Sequence, residues 1–101
     1  MHLVQLLLPL YDNEKRPFGQ EQLDRVRTEL AEKFGGVTAY RRSPAEGIWK
    51  EGGEVSHDEI IIFEVMTEHL DKAWWAEYRA ELEKRFRQEE LVIRATEMQQ
   101  L

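Results

Sequence analysis

The sequence predicts a single α+β domain over residues 1–101, with an antiparallel sheet carrying both helices on one face. Three observations carry this. Short apolar segments with strand character alternate with two longer segments whose apolar residues recur every three or four positions. The order along the chain is β, α, β, a hairpin excursion, β, α, β. A length of 101 residues fits one domain and leaves no room for a second.

Leu3 to Tyr11 is the first strand: it is short, holds one polar residue (Gln5), and runs into the polar loop Asp12–Pro17. Gln20 to Phe34 is a helix, because Leu23, Val26, Leu30 and Phe34 make one apolar stripe. With Gly19 as N-cap, Phe18 and Leu23 have the spacing of a hydrophobic staple. Glu21/Arg25 and Glu29/Lys33 are i,i+4 pairs on its wet face. Gly35-Gly36 supplies a left-handed stop. Val37 to Arg42 is the second strand, broken by Ser43–Gly47 around Pro44. Ile48–Glu51 and Glu54–Ser56 flank Gly52-Gly53 as a β-hairpin. Asp58 to Met66 holds Ile60-Ile61-Ile62-Phe63, the most β-prone stretch. Thr67 has the chemistry of an N-cap for a second helix running to about Gln88. Its stripe is Leu70, Trp74, Tyr78, Leu82 and Phe86, with Trp75 at the margin. Glu81/Arg85 and Glu83/Arg87 lie on its exposed side. Leu91 to Met98 is the last strand.

Two βαβ-like halves of this kind make the pattern of the ferredoxin-like sandwich. The order also resembles the dimeric α+β-barrel superfamily, which includes the antibiotic-monooxygenase-like and stress-responsive small proteins. The resemblance spans nearly the whole chain as a pattern of elements and carries over no active-site residue.

Composition narrows the function. Fourteen Lys and Arg against twenty Asp and Glu leave a net charge of −6, which disfavours general binding to nucleic acid or anionic lipid. There is no cysteine, hence no disulfide framework, thiolate metal site or cysteine nucleophile. No apolar run approaches the roughly 20 residues of a membrane span, and Met1–Gln5 lacks a signal-peptide pattern, so a cytoplasmic protein is expected.

Side chains alternate across a strand. Val4, Leu6, Leu8 and Leu10, with Val37, Ala39, Ile61, Phe63, Val65, Leu91, Ile93 and Ala95, should face the helices. The opposite set is mixed. It carries Leu3, Leu7, Ile60, Ile62, Val92 and Met98, more apolar surface than a wet sheet face should show. Pairing of two such faces in a homodimer accounts for it. Among these residues stand Gln5, Tyr40, Arg42, Glu64 and Arg94, and the hairpin register brings Trp49 to the same side. Apolar walls, a few convergent polar groups and an aromatic lid describe a small-molecule site. Glu64 draws most notice, because it interrupts an apolar strand and must be paired, hydrated or protonated there.

Two readings of this cluster stand side by side. In the first, Glu64 pairs with Arg94 or Arg42, and the chain is a homodimer that binds a partner or small ligand without catalytic machinery. In the second, the chain is a cofactor-free enzyme acting on a small apolar or aromatic molecule. Glu64 is then the acid/base group, with Arg42 or Arg94 stabilising an oxyanion.

Other patterns carry less. Ser56, His57 and Asp58 are adjacent on an extended strand and cannot meet as a triad. His2, His57 and His69 show no metal-ligand spacing. Arg41 beside Lys50 reads as edge protection. Trp74 and Tyr78 belong to the stripe, so they read as core rather than as a cofactor box. Neither glycine pair fits a phosphate-binding loop, and no aromatic pair on the central strands resembles an RNA-binding module.

Overall fold

The computed structural model describes residues 1–42 and 59–101, with the side chain of Arg42 outside that description. The elements are β1 (His2–Pro9), α1 (Gln20–Phe34), β2 (Thr38–Arg42), β3 (Ile60–Thr67), α2 (Lys72–Arg85) and β4 (Val92–Glu97). They form one antiparallel sheet in the order β2-β3-β1-β4. This is the α+β sandwich that the element order predicts. The hairpin around Gly52-Gly53, the turn at Pro44, Lys50, and Ser56-His57-Asp58 lie outside the described residues.

The first helix forms where its periodicity places it. Gly19 caps its start in extended conformation, and Gly35 ends it at φ 80°, donating its N–H to Ala31 O at 2.8 Å. A left-handed φ of this kind costs any other residue roughly 1–2 kcal/mol, so glycine fits that position. The predicted Glu29/Lys33 pair does not form. Glu29 turns to Arg85 of α2 instead, with contacts of 2.5 and 2.9 Å, and Lys33 Nζ lies 4.5 Å from the Trp74 ring. A bidentate guanidinium offers the carboxylate two aligned donors, which a lysine ammonium on an exposed turn does not.

The second helix starts later than Thr67. Asp71 is the N-cap, its carboxylate accepting from the Trp74 N–H at 3.1 Å, while Thr67 Oγ1 donates to His69 O. Both residues have capping chemistry, and three residues before Trp74 is the spacing that closes the first turn. Tyr78, Leu82 and Phe86 are buried as the stripe predicts, but the two tryptophans exchange roles. Trp75, Tyr78 and Leu82 are buried and Trp74 is only half-buried, the reverse of the expected Trp pair. The helix ends at Arg85 rather than near Gln88. Arg87 takes φ 51°, with Arg87 N–H donating to Lys84 O and Gln88 N–H to Glu83 O. That is a Schellman turn built on a non-glycine residue.

The core lies between sheet and helices: Val4, Leu6, Leu8, Ile61, Phe63 and Val65 meet Leu23, Val26, Leu30, Leu82 and Phe86. Ile93 and Ala39 pack at its edge as expected, while Ala95 is exposed. β4 is an edge strand of the sheet. No helix among the described residues is long and apolar enough to cross a membrane.

Candidate functional site

The sheet register assembles the site. Gln5 of β1 stands opposite Glu64 of β3 on one side and Arg94 of β4 on the other. Glu64 stands opposite Thr38 of β2, and Tyr40 lies two residues along, on the diagonal. One row of side chains therefore crosses four strands on the face away from the helices.

Hydrogen bonds follow that row. Arg94 Nε donates to Gln5 Oε1 at 2.8 Å, and Gln5 Nε2 donates to Glu64 Oε1 at 2.6 Å. Tyr40 O–H donates to the same oxygen at 2.7 Å. A guanidinium has donors and no acceptor, so Gln5 must turn its carbonyl to Arg94 and its amide hydrogens to Glu64. The amide thus links a cation to an anion, and each end fixes the other. Glu64 and Gln5 are half-buried, and so is Tyr40.

The expected direct Glu64–Arg94 pair does not form, because Gln5 occupies the strand between them and takes the guanidinium itself. Among the described residues no cation lies within ion-pair distance of Glu64, and its Oε2 accepts no hydrogen bond. Arg42 is the last residue of β2, opposite Ile60. Trp49 lies outside the described residues. The carboxylate is thus held firmly through one oxygen, while the second stays available to an incoming donor or proton. Arg94, exposed, uses only its Nε in this chain of bonds.

The apolar residues of the same face are unevenly exposed. Ile62 is 1% exposed within the single chain, whereas Met66 and Val92 are 47% and 49% exposed. Ile62 therefore serves the stability of the chain itself.

A second polar cluster was not legible as a unit. Tyr78 O–H donates to Glu29 Oε1 at 3.0 Å, and Arg85 spans Glu29 and Glu81. The Arg85 guanidinium holds the Glu29 carboxyl below the usual carboxylate range, against a smaller opposing effect of burial. Burial pushes the Tyr78 phenol up, and the Glu29 charge adds to it. Tyr78 and Arg85 are seven positions apart on α2, which is the one sequence signal that they share a side. The cluster ties α1 to α2.

Among the described residues no group of three or more His, Asp or Glu is placed to hold a metal ion. A cavity of about 220 Å³ lies on the helix side, between α2 and β4. Arg94, the end of the open-face row, borders it as well, whereas Gln5, Tyr40 and Glu64 do not.

Neither a protein-family model nor a curated protein sequence matches the chain. Among solved structures it is similar to a phage SAM lyase in complex with S-methyl-5'-thioadenosine. The match covers 95% of this chain and 80% of that one, with 14% identity and a TM-score of 0.62. The likeness is one of fold.

Proposed function

We propose that the chain binds and turns over a small zwitterionic or cationic metabolite on the open face of its sheet, of the sulfonium-nucleoside class, with Glu64 as the acid/base group. One observation carries this reading: Glu64 Oε1 is fixed by Tyr40 and Gln5 while Oε2 has no protein partner among the described residues. A carboxylate oriented through one oxygen and open at the other is placed to take a proton or an ammonium. Arg94 stands at the far end of the row with guanidinium nitrogens to spare, suited to a ligand carboxylate. S-adenosylmethionine carries both groups, beside a positive sulfur. The similar phage enzyme supports the choice of class, since it is a SAM lyase holding S-methyl-5'-thioadenosine. In this reading a second copy of the chain covers the face, closing the site over exposed Met66 and Val92.

The test is incubation with S-adenosylmethionine and chromatographic analysis of the products. The expected step is removal of a β-proton of the amino-acid chain by Glu64, its C–H electrons forming a double bond as the bond to sulfur breaks, so that S-methyl-5'-thioadenosine and 2-aminobut-3-enoate are released. Glu64→Gln should reduce this by about 10²–10⁴-fold with the fold intact. Absence of both turnover and saturable binding in the wild-type chain contradicts the proposal.

A second reading has its own observation. The row Arg94–Gln5–Glu64–Tyr40 ties all four strands, so it also fits a device that fixes strand register. In that case Glu64→Gln lowers stability and changes no ligand binding.

A further inference from the structure

The cavity between α2 and β4 has a composition of its own. Its apolar lining includes Val4, Trp75 and Ile93, and three cations border it: Lys72 and Arg79 of α2 and Arg94 of β4. Lys72 and Arg79 are seven residues apart, two turns of helix, so they sit on one side of α2 with Trp75 between them. At 1.5 Å per residue their backbones are about 10 Å apart along the axis, a span that two long side chains can close on one anion.

Elsewhere on the helices the arginines are paired, while Lys33 lies over the Trp74 ring and Lys84 has no ion pair among the described residues. Arg85 is taken by Glu29 and Glu81, Arg25 lies near Glu29, and Arg27 binds Asp24. Among the described residues Lys72 and Arg79 take part in no hydrogen bond or ion pair, and no carboxylate lines the cavity. Three cations and no carboxylate thus surround an apolar hollow on a chain of net charge −6.

We propose that this cavity is a binding site for a small carboxylate with an aromatic or branched apolar body. The body lies against Trp75 and Ile93, and the carboxylate is held between Lys72 and Arg79. The volume of about 220 Å³ sets the size: it is below the roughly 300–1,000 Å³ of sites for drug-sized ligands, so a single ring with a short acid chain fits and a nucleotide does not. A charge-assisted contact gives the acid its advantage over a neutral isostere. The site shares Arg94 with the open-face row, but none of Gln5, Tyr40 or Glu64 lines it.

The experiment is a titration of the full chain with 3-phenylpropionate, followed by amide and indole resonances. The expected result is saturable shifts at the Trp75 indole and at the Ile93 and Ala95 amides. The neutral 3-phenylpropionamide should bind at least about tenfold more weakly, and a Lys72→Gln, Arg79→Gln double variant should lose the acid by a similar factor. Both side chains are exposed, so the variant should keep the wild-type spectrum elsewhere. Equal binding of acid and amide, unchanged binding by the double variant, or no saturable shift across the millimolar range overturns the proposal.

Discussion

On the helix side of the sheet, Val4, Leu6, Leu8, Phe63 and Val65 are all buried and all apolar. On the other side the same two strands carry Gln5 and Glu64, bonded to each other and to residues of both edge strands. The backbone and the strands are common to both, so the difference lies wholly in which side chains alternate onto each face. The first face does what the hydrophobic effect requires and has no polar atom to satisfy. The second keeps a carboxylate, an amide, a phenol and a guanidinium in register, and leaves one carboxylate oxygen free among the described residues.

The sharpest contrast comes from paired truncations. Phe63→Ala removes a fully buried ring and should cost about 3–5 kcal/mol in urea unfolding. Leu7→Ala, on the opposite face and only half-buried, should cost about 1 kcal/mol. Equal losses would erase the distinction between the faces.

Charges placed on the open face divide it further. Ile62→Glu puts an unpaired carboxylate at a 1% exposed position and should unfold or strongly destabilise the chain. Val92→Glu, at 49% exposure, should spare the fold. If the face pairs with a second copy, sedimentation should show twice the chain mass for wild type and the chain mass for Val92→Glu.

The α1–α2 cluster gives a smaller effect with a pH signature. The folded-state value of Glu29 is lowered from 4.5, chiefly by the Arg85 hydrogen bonds. A lowered carboxylate contributes stability that is fully present above its unfolded value and is lost as pH falls through the folded one. Glu29→Gln should therefore cost about 1 kcal/mol at pH 7, moderated by partial exposure. The gap to wild type should close as pH falls below 4.5. The smallest change is at the end of α2: Arg87→Gly relieves a left-handed conformation and should stabilise by about 0.5–1 kcal/mol.

The open-face row was legible because two rules sufficed for it. Alternation put Gln5, Tyr40, Glu64 and Arg94 on one face, and the order β2-β3-β1-β4 made their strands neighbours. The hydrogen-bond order within the row was not legible, because it depends on rotamers: Gln5 intercepts Arg94, and no pattern of spacing reveals that. The start of α2 failed for a related reason. Thr67 and Asp71 have the same capping chemistry, and residue type alone does not reveal that Asp71 takes the Trp74 N–H while Thr67 turns to His69 O. Glu29 likewise has a lysine four residues on, yet tertiary contact supplies the better partner from another helix. The cavity beside β4 arises from how α2 sits above an edge strand, which the periodicity of either element does not contain.

The proposed ligand site is the open face, organised by Glu64. It is tested most directly by following the amide resonances of Gln5, Tyr40, Glu64 and Arg94 while S-adenosylmethionine is added to wild type and to Glu64→Gln. Saturable shifts are expected at these four positions in wild type, and their loss in a Glu64→Gln chain that keeps its fold. No shift at the open face in wild type, or the same shifts in both chains, would contradict it.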